Sequence, residues 1–220
     1  MRKLIIAIDG PSGVGKGTVA RAIASQLGYR HVDSGAMYRA VGWKALQLGV
    51  ALDREGDVAE IAARSDIDIS ASAVVIDGTD VTRAVRTPEI DKASAAVARL
   101  PRVREILVDR QRALGAGGGI VMEGRDIGTV VFPGAEVKLY LDASAEERAR
   151  RRANDPSHSG GPAALSEVAN LLTERDRSDS TRAASPLYAA PDATVIDTTG
   201  TPIDQVVARV MSIVGSKLAD

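Results

Sequence analysis

The sequence predicts an α/β protein organised around a parallel sheet, and three observations carry that expectation. Short apolar runs alternate with segments of helical periodicity. The first apolar run opens directly into a glycine-rich turn followed by a helix. The 220 residues are 45% hydrophobic and 26% charged, enough apolar material for one core and enough charge for a wetted surface. The length suits one compact domain carrying an inserted subdomain, or two small domains.

The elements follow in order. Residues 4–8 read as a buried strand, and 16–27 as a helix with Val19, Ile23 and Leu27 four residues apart and Gly28 as its stop. His31, Val32 and Asp33 form a short second strand leading into a helix over 36–48. Further strands are expected at 120–122, 137–141 and 194–196. Ile203, Val206, Val207, Val210, Met211 and Val214 form one stripe on a last helix, which packs on the sheet. The middle breaks the rhythm. Residues 67–69 and 74–76 alternate as short strands and 77–80 read as a turn, so a small antiparallel sheet is inserted over about 64–98. Helices over 88–98 and 101–114 bring the chain back. The glycines of 115–119 read as a surface turn, and the Gly/Pro-rich stretch 154–162 as a loop.

Composition excludes several classes of function. Twenty-eight basic and 29 acidic residues leave a net charge of −1, which argues against a dominant nucleic-acid or membrane footprint. No cysteine is present, so no disulfide, thiolate metal site or cysteine nucleophile exists. His31 and His158 are the only histidines, too few for a histidine metal cluster. No apolar run approaches the roughly 20 residues that span a bilayer. The first residues are charged but precede too short an apolar stretch for a secretory signal, so the cytoplasm is the expected compartment. Arginine outnumbers lysine 22 to 6, a bias that suits phosphate handling or simply reflects composition.

The strongest motif lies between the first strand and the first helix: Gly10, Pro11, Ser12, Gly13, Val14, Gly15, Lys16, Gly17 and Thr18. Glycines let backbone amides turn toward phosphate oxygens, the following helix presents its positive end, and Lys16 neutralises the outer phosphates. This is a P-loop in the required strand–loop–helix context, so the expected architecture is the three-layer P-loop fold with a parallel central sheet. It departs from the usual pattern at Gly17, where a hydroxyl residue ordinarily meets Mg²⁺. The metal is therefore expected to be held mainly by phosphates and water, with no protein metal ligand assigned. A GTPase would need Asp two residues after a base-reading lysine, and none of the six lysines has one.

Other segments point to what the triphosphate is used for. Ser34 and Arg39 follow the second strand, where α/β ligands bind; the segment serves either an anion or an ordinary helix cap. Glu123, Gly124, Arg125 and Asp126 end a core strand, where an Arg–Asp pair between glycines suits a ligand, or a surface salt bridge. Arg175, Asp179 and Arg182 share a face if their helix continues, as a binding set or as an intrahelical ion pair. Arg148, Arg151 and Arg152 share a face just before the 154–162 loop. They suit a lid closing over triphosphate, or a solvated face in which Glu147 pairs with Arg151.

Taken together, the segments GPSGVGKGT, DSGAMYRA, PRVREILVDRQR, EGRDIGTVVFP and ERDRSDSTRAASPL resemble the bacterial-type cytidylate kinases, in family order over nearly the full chain. The resemblance implies transfer of the ATP γ-phosphoryl group to CMP or dCMP, with ATP bound as its Mg²⁺ complex. It implies a nucleoside-monophosphate-binding subdomain near 64–98 and a short lid near 153–163. Arg104 and Asp126 match the residues that read cytosine. Arg39, Arg125 and Arg182 match those that hold the acceptor phosphate, with Ser34 close by, and Arg175 and Asp179 match positions around the ribose. Lys16 and Arg125 take the catalytic places, and Arg148 and Arg151 the donor side. One base-contacting serine of the family aligns with Ala95, beside Ser94, and the lid loop matches poorly. The competing readings are a kinase for UMP, AMP or shikimate, and a non-enzymatic ATP-dependent binding module. A monomer is expected, because no apolar stripe is left over.

Overall fold

The computed structural model describes residues 3–155 and 165–219. Its central sheet has five parallel strands in the order β2-β6-β1-β7-β8. These are β1 (Ile5–Asp9), β2 (Arg30–Asp33), β6 (Ile120–Gly124), β7 (Val137–Asp142) and β8 (Thr194–Asp197). Alternation decides the layers. Ile6, Ile8, Val121, Leu139 and Leu141 pack with α1 (Lys16–Leu27) and α8 (Ile203–Ala219) on one face. Ala7, Val32 and Met122 point the other way, toward Ile127, Val131 and Phe132. With both faces covered, β1 and β6 are apolar along most of their length, whereas β7 alternates, with Lys138 and Tyr140 only partly buried.

The remaining elements build a second core. α2 (Ser34–Gln47), α3 (Glu55–Arg64), α4 (Pro88–Val97) and α5 (Pro101–Gly115) enclose β3 (Ile67–Ile69), β4 (Val74–Ile76) and β5 (Thr79–Asp80). The three short strands are antiparallel. Only Asp77 and Gly78, both at positive φ, make the turn; Thr79 and Asp80, expected within it, pair as β5 instead. α3, which the sequence reading did not place, buries Val58, Ala59 and Ala62, with Ile61 packed beside them. Gly115, read as part of a surface turn, closes α5 and is buried; a Cβ there would lie 2.4 Å from Phe132 Cζ. In α8 the stripe is buried at Val206, Val207, Val210 and Val214, whereas Ile203 stays exposed.

Two features at the carboxyl edge of the sheet set the site. After β6, residues Ile127–Val131 form a π-helical turn, with Val131 N donating to Asp126 O at 3.1 Å and Phe132 N to Ile127 O at 2.7 Å. The last two helices, α6 (Ala145–Ala153) and α7 (Leu165–Thr181), pack together beside that edge. Most of the expected 153–163 lid, residues 156–163 with His158, lies outside the described residues.

Candidate active site

The P-loop connects β1 to α1 and its shape is set by backbone geometry. Gly10 has φ +144°, and a Cβ there would sit 2.1 Å from Leu141 O on β7. Gly13 and Gly15 follow at φ +85° and +91°, which L side chains rarely adopt. Gly10→Ala is expected to destabilise the fold by at least about 3 kcal/mol, from strain plus overlap. A thermal midpoint within error of the parent would contradict this account of the loop.

Lys16 opens α1, is buried, and donates from Nζ to Pro11 O at 2.6 Å. Burial, helped by the Arg125 charge, lowers its pKa to about 7, against the opposing pull of Glu123, Asp33 and Asp9. Asp9, at the end of β1, accepts hydrogen bonds from Ile127 N (2.8 Å) and Gly128 N (2.7 Å) of the π-helical turn. Burial nevertheless raises its pKa to about 6. Sequence reasoning overlooked Asp9; the available signal was an acidic residue ending an otherwise apolar strand beside the loop.

A cleft of about 920 Å³ runs from the P-loop to the inserted subdomain. At one end lie Ser12, Gly13, Gly15, Lys16, Gly17 and Thr18, whereas Gly10, Pro11 and Val14 of the loop do not line it. Next come Ser34 and Arg39, and here the helix-cap reading of the segment is seen, on residues that also line the cleft. Asp33 Oδ1 caps α2 by accepting Ala36 N at 3.1 Å, while Ser34 Oγ donates to Glu123 O at 2.7 Å. Arg39 reaches the cleft and pairs through Nε with Asp91 Oδ1 at 3.2 Å.

Deeper in, Arg104 and Asp126 form a buried pair, Arg182 Nη2 stands 3.6 Å from Asp126 Oδ1, and the Arg104 guanidinium lies 5.5 Å from the Tyr38 ring centre. Arg125 and Arg175 line the same wall, held from behind by Asp179: Arg125 Nε is 2.9 Å and Arg175 Nε 3.3 Å from Asp179 Oδ2. Asp179 is only 2% exposed and does not itself line the cleft. Burial would raise its pKa, but the two guanidiniums outweigh that and hold it below the usual carboxylate range. Helix α7 ends at Thr181, so Arg182 reaches Asp126 from just past the helix rather than from its face.

The arginines of α6 fan out to three targets. Arg148 pairs with Asp176 and donates to Ser12 O at 3.3 Å, and it does not line the main cleft. Arg151 donates to Val14 O at 3.2 Å and pairs with Glu147 at 2.8 Å, so the ion pair read from sequence coexists with a contact to the P-loop. Arg152 pairs with Asp91 on α4. Arg151, Val14 and Thr18 also border a second hollow of about 250 Å³, with Thr198, Ile203 and Val206 opposite.

Ser94, not Ala95, faces the cleft, and its Oγ accepts from Arg175 Nη1 at 3.2 Å. The helical register of α4 decides this, which sequence spacing alone left open. Among the described residues no three acidic or histidine side chains cluster as a ready metal cage. Thr18, Asp33 and Glu123 do line the cleft beside Lys16. Oxygen donors next to bound phosphates suit a hydrated hard cation such as Mg²⁺.

The family profile described as cytidylate kinase matches residues 6–216. A cytidylate kinase of Desulfitobacterium hafniense (strain Y51) is 48% identical over 220 residues, covering 99% of this chain and 95% of that one. Another, from Pelotomaculum thermopropionicum, is 48% identical over 216 residues, with 96% of each chain covered. A solved structure of shikimate kinase from Bacteroides thetaiotaomicron superposes with a TM-score of 0.51 at 10% identity, over 97% of this chain and 99% of that one, a likeness of fold alone. A P-loop facing a wall of arginines could serve several acceptors, but a match that runs from the first strand to the last helix at this identity has one reading: the chain belongs to the cytidylate kinase family.

Proposed function

We infer that this chain transfers the γ-phosphoryl group of ATP to CMP or dCMP, giving CDP or dCDP and ADP, in one in-line step. The observation that carries this reading, beside family membership, is that a P-loop lysine and a buried Arg–Asp pair share one cleft. Cytosine offers an amino donor next to ring acceptors. The Asp126 carboxylate suits the first and the Arg104 guanidinium the second.

An oxygen of the CMP phosphate attacks the γ-phosphorus as the bond from that phosphorus to the β–γ bridging oxygen breaks, and ADP leaves with the electron pair. The nucleophile is already an anion, so no side-chain base is required. The protein aligns the groups and neutralises charge. Lys16 and the P-loop amides hold the donor phosphates, and Arg125 faces the transferring group. Arg39 and Arg182 hold the acceptor phosphate with Ser34 beside them, while Arg175, backed by Asp179, flanks the ribose. Arg148 and Arg151 brace the donor side, and the 250 Å³ hollow beside Arg151 is the seat for the purine. Mg²⁺, when bound with ATP, would supply charge neutralisation at the phosphates. Thr18, Asp33 and Glu123 would hold its water shell. In this reading residues 64–98 form the acceptor subdomain and 153–163 the lid, within a single domain. The protein works in the cytoplasm as a monomer, without nucleic acid or membrane. None of the helices described is long and apolar enough to cross a bilayer. Six scattered aromatic residues make no stacking platform for a nucleic acid.

Coupled measurement of ADP release with CMP, dCMP, UMP, AMP or shikimate, with and without RNA, tests the reading. ADP release driven by the two cytidine nucleotides far above the rest is expected. Equal stimulation by AMP or shikimate would assign a different acceptor, and stimulation by RNA alone would remove the kinase reading.

A further inference from the structure

Buried His31 on β2 takes no part in the chemistry above, yet it reaches the phosphate end of the cleft through one contact. β2 and β6 run parallel with His31 opposite Val121 and Asp33 opposite Glu123, which makes His31 and Glu123 diagonal neighbours. His31 Nε2 lies 3.1 Å from Glu123 Oε1. A carboxylate only accepts, so Nε2 carries the hydrogen and donates it. Nδ1 is buried with no hydrogen-bond partner among the described residues. A ring placed only to fill space would be better replaced by a hydrocarbon, since a buried nitrogen without a partner costs free energy. The one contact that Nε2 makes is therefore the feature that calls for this residue type.

What that contact does follows from where Glu123 lies. Its Oε1 and Oε2 stand 3.0 and 3.6 Å from the place a Cβ on Gly17 would occupy, with Arg21 Nη1 3.4 Å from the same point. The carboxylate thus sits under the first turn of α1, where the missing side chain of Gly17 leaves it room. Two cations lie near it there, Arg21 and Lys16, and Glu123 already acts on Lys16 by charge. A flexible glutamate drawn onto Lys16 would neutralise the lysine that the phosphates require.

We propose that His31 is a positioning residue for phosphoryl transfer: its Nε2 holds the Glu123 carboxylate beneath Gly17, keeping it beside the phosphates and off Lys16. The proposal rests on the reading of the P-loop end as the site of Mg²⁺–ATP. His31→Leu removes the hydrogen bond while keeping a buried residue. His31→Gln restores a donor near the position of Nε2, because a glutamine amide reaches about as far as that nitrogen.

The experiment measures CMP phosphorylation across a magnesium titration, together with binding of Mn²⁺–ADP followed by electron paramagnetic resonance. His31→Leu is expected to lower kcat by about tenfold to a hundredfold, the usual cost of freeing a group that orients another. KM for CMP is expected to stay unchanged, Mn²⁺–ADP binding to weaken, and His31→Gln to recover most of both losses. In a Glu123→Gln background His31→Leu should cost nothing further, because the two act as one unit. A folded His31→Leu with parental kcat and Mn²⁺–ADP binding overturns the proposal. So does a loss fully additive with Glu123→Gln, or a Gln variant no better than Leu. If His31→Leu does not fold, His31→Asn, whose shorter amide falls short of Glu123, replaces it in the same comparisons. A parent protein that phosphorylates no cytidine nucleotide would instead refute the functional reading, which keeps the two failures apart.

Discussion

Lys16→Ala is expected to lower kcat by about 10³-fold, the scale for losing one preorganised charge at a developing anion. Lys16 is the P-loop cation at the head of α1, buried among backbone groups that leave little water to replace it. Near-parental turnover would remove the mechanism. A second measurement reads the same group without chemistry. In the free protein burial, with Arg125, lowers the Lys16 pKa to about 7, so at pH 8 most molecules carry a neutral amine. Arriving phosphates favour the charged form. Calorimetry at pH 8 in buffers of different ionisation enthalpy should therefore show uptake of about one proton per nucleotide, absent in Lys16→Ala. The sign for stability is opposite to that of a salt-bridged lysine. The folded pKa lies below the ordinary 10.5, so the unfolded chain binds more protons between pH 7 and 10.5. Stability gains from this group as pH rises through that window, and Lys16→Ala should not lower the thermal midpoint near pH 7. A clear fall would mean that Lys16 holds the fold together rather than serving the phosphates.

Arg125→Ala is expected to reduce kcat/KM for CMP by about 10² to 10³-fold while ATP affinity changes little, because the guanidinium faces the cleft across from the P-loop. Two structural consequences separate its roles. Asp179 loses its 2.9 Å partner and keeps Arg175 in contact and the more distant Arg182 charge, so some stability is lost through an under-compensated buried carboxylate. Lys16 loses a neighbouring positive charge that lowers its pKa, so proton uptake on nucleotide binding should shrink. Arg125→Lys keeps the charge without the fork and should recover only part of the CMP response. An unchanged CMP response in Arg125→Ala would end the assignment, whatever happens to stability.

The resting arginines explain how such a cleft exists in a protein of net charge −1. Arg39 and Arg152 share Asp91, Arg104 shares Asp126 with Arg182, and Arg125 shares Asp179 with Arg175. Each guanidinium has a carboxylate that compensates its charge. The 22-to-6 excess of arginine over lysine thus has a local meaning at these positions. A planar fork can bond a carboxylate on one edge and keep another edge for a ligand. Sequence reading found most of the cations, Arg152 among them, because they sit in recognisable segments, but missed Asp91, whose pairing with Arg152 joins α4 to α6 across some sixty positions of chain. It also set Arg175, Asp179 and Arg182 on one helical face, on the condition that their helix continues. In the fold Asp179 stands behind the arginines, and Arg182 arrives from beyond the helix end.

By itself the sequence determined the layered architecture and the P-loop, for a physical reason. Both depend on neighbours along the chain: alternation within a strand, a stripe along a helix, glycines that alone reach the required φ values. It also carried the family resemblance that assigned Arg104 and Asp126 to one job. Tertiary structure decided what depends on approach between distant segments. The π-helical turn after β6 aims two amides at Asp9, the register of α4 turns Ser94 rather than Ala95 to the cleft, and Glu123 settles into the space that Gly17 leaves open. None of these has a local signature, because each is set by the distance between two backbones that only packing brings together.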